Sequence, residues 1–152
     1  MNSTPDKAAI IRIVKASLAE SASAAKKAMD EAQESANTES KSSMGDKYET
    51  GRAMAQLDRD MYAGRYHQII QDLSLLERLE KTTASGQVQP GSLVGASFGK
   101  ILIAVSLGVV EAGDERILAV SVQSPLGRSL LGKIAGDSFV FQGKEHKVEW
   151  IL

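Results

Sequence analysis

The sequence predicts an α+β chain: a long antiparallel helical hairpin, a coiled coil, followed by a small β-rich domain with one short helix. Three observations carry that expectation. After Thr4-Pro5 there is neither proline nor glycine up to about Ala36, and Ala, Lys, Glu and Gln dominate. At Thr82–Ser92 (TTASGQVQPGS) the composition changes abruptly. Beyond it the apolar runs become short and β-branched and are bounded by glycines. The expected division is therefore 1–81 for the hairpin, 82–92 for a linker and 93–152 for the β-rich domain.

Thr4 is placed to cap the first helix and Pro5 to occupy its first position. Ile11, Val14, Leu18, Ala22, Ala25, Met29, Ala32 and Ala36 advance by threes and fours, one stripe on one face. The stripe is thin and alanine-rich, so this helix needs a partner to be stable. Turn formers fill Asn37–Gly45, and a second helical stretch runs from Asp46 to about Lys81. Its expected seam is Met54, Leu57, Met61, Ile69, Leu73 and Leu76, with a slip of spacing near Gly64. At 1.5 Å per residue each arm spans roughly 50 Å.

Strands are expected at Leu93–Ser97, Lys100–Leu107, Arg116–Ser121, Ser138–Gln142 and His146–Leu152. One helix interrupts them, with Ser124 as its cap, Pro125 at its start and Gly132 at its end.

Composition excludes several functions. There is no cysteine, so disulfides and thiolate metal sites are ruled out. Net charge is −1 and the cations are spread along both halves, which argues against autonomous DNA binding. No run approaches the roughly 18 apolar residues of a membrane span. Met1–Asp6 has neither the basic start nor the apolar core of a signal peptide, and a cytoplasmic location is expected.

Two motifs stand out. Near 37–49 the hairpin carries an acidic tip, Gly45-Asp46-Lys47-Tyr48-Glu49. In the second half the chain reads Ser124-Pro125-Leu126-Gly127-Arg128-Ser129-Leu130-Leu131-Gly132-Lys133, followed by Gly136-Asp137. Together with the order of parts and the total length, these residues resemble the Gre-type transcript cleavage factors. In that family the second domain is FKBP-like and docks at the mouth of the RNA polymerase secondary channel. The resemblance implies a transcription elongation factor that stimulates cleavage of backtracked transcripts. Its partners would be bacterial RNA polymerase and, inside that complex only, the 3′ end of the nascent RNA. Ser124, Pro125, Arg128 and Lys133 fall on the docking motif.

The family's tip pattern is Gly-Asp-Leu-x-Glu-Asn-x-Glu-Tyr. Here Gly45, Asp46 and Glu49 match, while Lys47, Thr50, Arg52 and Ala53 depart from it. By the resemblance, Asp46 and Glu49 are the metal-directing carboxylates. They would act on a Mg²⁺ shared with the polymerase active site, with no cofactor bound by the isolated chain. The enzyme in that scheme is the polymerase. Two other readings stay open: a secondary-channel regulator without cleavage activity, such as an anti-Gre or nucleoside diphosphate kinase regulator-like protein, and a binding or isomerase module unrelated to transcription. Asp46 followed by Glu49 is also the spacing of a capping box.

The remaining candidates read as structural. His67 and His146 lie far apart in sequence without clustered acids, Met54 and Met61 fill the seam, and Gly95, Gly99, Gly108 and Gly113 mark bulges and turns. Ser124 has no matching base and acid to make it a nucleophile. Phe98, Phe139, Phe141 and Trp150 are the aromatic residues available to line a pocket in the β-rich half.

Overall fold

A computed structural model describes residues 6–39 and 45–152, with side chains for 6–38 and 49–152. It contains α1 (Lys7–Glu39), α2 (Gly45–Glu80), β1 (Leu93–Ala96), β2 (Gly99–Ile103), β3 (Gly108–Ala112), β4 (Glu115–Val120), α3 (Pro125–Leu130), β5 (Ser138–Phe141) and β6 (Lys144–Ile151). The chain is α+β, two long helices followed by a six-stranded mixed sheet and one short helix. It divides into two compact units. One is Ala16–Leu73; the other joins Ser74–Leu152 to the start of α1, up to Lys15.

The expected Thr4-Pro5 helix start lies outside the described residues. Within them Asp6 caps α1: its Oδ1 accepts from the backbone N–H of Ala8 (3.1 Å) and Ala9 (3.3 Å). That satisfies two of the donors a helix leaves open at its start.

In the Ala16–Leu73 unit the stripe read on α1 faces inward. Leu18, Ala22, Ala25 and Ala36 are buried, and Met29 and Ala32 are half-buried. The seam expected on α2 needs correction. Met54, Leu57 and Met61 are 56%, 63% and 59% exposed, whereas Ala55 and Ile69 are buried and Tyr62, Ala63 and Tyr66 half-buried. The reason is geometric. α2 runs unbroken through Gly64, so the change of spacing near it is not absorbed by a break. At 100° per residue Met54, Leu57 and Met61 centre roughly 130° round the helix from Ala55, Tyr62 and Tyr66. The face that turns inward at the second group therefore leaves the first in solvent.

In the other unit Ile10, Ile11 and Val14 of α1 and Leu76 and Leu79 of α2 are buried. Lys15 Nζ pairs with Glu80 Oε2 at 3.1 Å, joining the early part of α1 to the end of α2 and so fixing the helices as antiparallel.

The sheet order is β3-β4-β2-β1-β6-β5, with β2 and β4 parallel and every other pair antiparallel. The central strand β2 lies under cover on both sides, which explains the unbroken apolar run Ile101-Leu102-Ile103. One face supplies Val94, Ala96, Ile101, Ile103, Phe139 and Val148, which pack with Leu126 and Leu130 of α3 and with Val88. On the other face Leu93, Leu102, Ile117 and Ala119 are buried.

Two details differ from expectation. The run expected as one strand over Lys100–Leu107 ends at Ile103, and Gly108–Ala112 forms an edge strand that pairs with β4 through the turn at Gly113 (φ 65°). The second half of the stretch 82–92 is hydrogen-bonded into the sheet unit. Val88 N–H donates to Lys133 O (2.8 Å), Gly132 N–H to Val88 O (2.8 Å) and Gly91 N–H to Ile103 O (2.6 Å).

Candidate functional site

The Ser124 motif is built from the backbone upward. Ser121 directly follows β4, and its carbonyl accepts from both the Ser124 N–H (3.2 Å) and the Ser124 hydroxyl (2.7 Å). Ser124 Oγ in turn accepts from Gly127 N–H at 3.0 Å, a helix cap, while Pro125 occupies the first turn, where no N–H is needed. Gly127 is required by space: a Cβ there would lie 2.0 Å from Ser121 O. Ser124, Pro125 and Gly127 therefore hold α3 against the sheet. Their roles as far as the geometry goes are architectural.

What α3 presents outward is different. Arg128 is exposed, and Lys133 is half-buried with its carbonyl committed to Val88. Beside them Leu131 and Ile134 are each 48% exposed. Gly132 (φ 82°) turns the chain after α3, and Asp137 Oδ2 accepts from Ile134 N–H at 2.9 Å, fixing the loop that carries Ile134. The sequence reading missed Leu131 and Ile134. The available signal was two aliphatic residues set among the turn formers after a helix end. A cation beside two exposed aliphatic side chains suits a protein contact and offers no nucleophile or acid–base pair.

At the start of α2 only part of the expected pair can be placed. Gly45 opens the helix, and Asp46 falls in its first turn, but the Asp46 carboxylate lies outside the described side chains. Glu49 is exposed and makes no ion pair among the described residues. No group of three or more His, Asp or Glu side chains that could hold a metal occurs among the described residues.

The aromatic residues of the sheet unit separate into two places. The Phe98 ring meets His146 (4.7 Å), stacks on Phe141 (5.9 Å) and meets Phe139 edge-on (6.1 Å). Ser97 Oγ lies 3.1 Å from His146 Nδ1. Trp150 belongs instead to the position across from Gly95, where a Cβ would fall 2.1 Å from its ring. His146 is thus a packing residue of the Phe98 cluster. No family model, curated protein or solved structure matches this chain.

Proposed function

We propose that the chain is a Gre-type factor that enters the secondary channel of a bacterial RNA polymerase and stimulates cleavage of backtracked RNA. The observation that carries this reading is the combination of an antiparallel pair of helices of 33 and 36 residues with a Gly45-Asp46 start to the second, followed by exposed Glu49. In this reading the sheet unit is the FKBP-like docking domain, and Arg128, Leu131 and Ile134 contact the channel mouth.

Phosphodiester hydrolysis of this kind uses one metal ion to activate water and one to stabilise the leaving oxygen. Asp46 and Glu49 are three residues apart, which sets both on one face of a helix start. Mg²⁺ accepts one or two carboxylates while keeping several waters, so a visiting pair of acids suits it. Glu49, exposed and unpaired among the described residues, is available as such a ligand.

Asparagine caps a helix about as well as aspartate, and glutamine can complete a capping box. A neutral amide oxygen is a poor substitute for a carboxylate at Mg²⁺. Asp46→Asn and Glu49→Gln are therefore expected to fold and bind the cognate polymerase normally, yet to lose stimulated cleavage of a stalled, backtracked complex. Equal cleavage by both variants would leave the two acids as a cap only. The second reading, channel occupancy without cleavage, draws support from Arg52. It is exposed one turn after Glu49, where the family carries an acid. A wild-type chain that binds polymerase but never stimulates cleavage decides for it.

A further inference from the structure

We infer that α2 pairs with α2 of a second copy of this chain, in parallel, through the exposed stripe of Met54, Leu57 and Met61. These side chains are each more than half exposed, and they belong to a longer run, Thr50, Met54, Leu57, Met61, Gly64 and Gln68, that advances 4-3-4-3-4. That is the spacing of a coiled-coil seam. It lies roughly 130° round the helix from the face of buried Ala55 and half-buried Tyr62 and Tyr66, so α2 carries two seams, one of them uncovered.

The charges beside the open seam select the partner. In heptad terms Met54 and Met61 take a positions, Leu57 and Gly64 take d, Asp60 takes g, and Asp58 and Arg65 take e. In a parallel pair each g residue faces the e residue five places on in the partner, so Asp60 meets Arg65 of the other copy, twice by symmetry. Arg65 is exposed and has no ion pair among the described residues. Asp60 Oδ1 accepts from Arg59 at 2.6 Å, which leaves Oδ2 for a second cation. The antiparallel alternative fails on the same residues. The register that stacks Leu57 on Met61 sets Asp58 against Asp58 and Asp60 against Asp60.

The three side chains offer roughly 300 Å² of apolar surface, against about 800 Å² per partner in a typical stable complex. The dimer is accordingly weak and concentration-dependent. It stands independently of the polymerase reading.

The test uses the full chain, which has no cysteine of its own. Sedimentation equilibrium should show a monomer–dimer equilibrium that Leu57→Asp abolishes without loss of helix content. Asp60→Arg alone should shift it to monomer, and Asp60→Arg with Arg65→Asp should restore it. Leu57→Cys should oxidise to a Leu57-to-Leu57 cross-linked dimer, because facing d positions are within disulfide reach. Ile70→Cys, exposed on the far side of α2, should not. The proposal is overturned by a chain that stays monomeric up to about 0.5 mM, a range that covers weak complexes. It is overturned equally by a dimer that survives Leu57→Asp. Preferential cross-linking of Leu57→Cys to Met61→Cys would overturn the parallel arrangement.

Discussion

The same substitution, glycine to alanine, should have opposite effects at Gly127 and Gly64. At Gly127 the new methyl would lie 2.0 Å from Ser121 O, so reaching an ordinary 3.4 Å contact needs a shift of about 1.4 Å. The carbonyl cannot yield alone, because it accepts from the Ser124 N–H (3.2 Å) and hydroxyl (2.7 Å). Moving α3 away stretches those bonds and the Gly127 N–H to Ser124 Oγ cap (3.0 Å) beyond useful range. Three bonds at about 1 kcal/mol each, with overpacking of about 1–3 kcal/mol, outweigh the roughly 1 kcal/mol by which alanine favours a helix. A net loss of about 2–4 kcal/mol is expected once partial relaxation is allowed for. At Gly64, inside α2, nothing lies within 4 Å of the added carbon. Only the helix preference remains, a gain of about 0.8–1 kcal/mol. Urea unfolding reads both, with fluorescence of Trp150, the only tryptophan, reporting the sheet unit and far-ultraviolet dichroism the helices. A Gly127→Ala cost below about 1 kcal/mol would refute the idea that α3 is locked to Ser121.

Other outcomes follow from neighbouring details. Ser124→Ala removes both the cap and the link to Ser121 and should cost about 1–2 kcal/mol by the same urea titration. Gly95→Ala would drive a methyl into the Trp150 ring, so its emission maximum should move and stability fall by about 1–3 kcal/mol. Partial burial holds the Lys7 ammonium below its ordinary pKa of 10.5. Between the lowered value and 10.5 the unfolded chain binds more protons, so stability should rise with pH through that window. The burial cost is fully present below it. Lys7→Gln should flatten that slope in urea midpoints taken on either side of the window; an unchanged slope would mean that Lys7 does not contribute.

The α1 stripe was legible because a single helix face repeats by threes and fours, and Leu18, Ala22, Ala25 and Ala36 all turned inward. On α2 the same reasoning misled, since large side chains at helical spacing look alike whether they face a seam or open water. Met54, Leu57 and Met61 formed a stripe of their own, and only counting back from buried Leu76 shows that Ala55 faces inward instead. β3 was missed for a related reason. Gly108 to Ala112 holds only two large apolar residues, and its pairing with β4 depends on a left-handed glycine at 113, which the sequence marks only as a turn. Ser124, Pro125 and Gly132 were readable, as capping and helix ends follow from local chemistry. The Cβ-sized gap filled by Ser121 O at Gly127 was not, because it arises from a contact between two segments.

The Lys15–Glu80 pairing bears on how the chain is made. Ile10, Ile11 and Val14 belong to the same unit as β6 but leave the ribosome well before it. Closing a loop of that length costs little more than closing a shorter one, since the entropy grows only with its logarithm. The helices shorten the search further: once α2 lies antiparallel to α1, with Lys15 paired to Glu80, the start of α1 is already held beside the end of α2 when residues 82–152 begin to emerge. During synthesis those early apolar side chains wait on the helix pair for the strands. A ribosome-bound chain stopped at residue 81, before the rest of this unit has emerged, should therefore leave Ile11 and Val14 more open to proteases than the finished protein does.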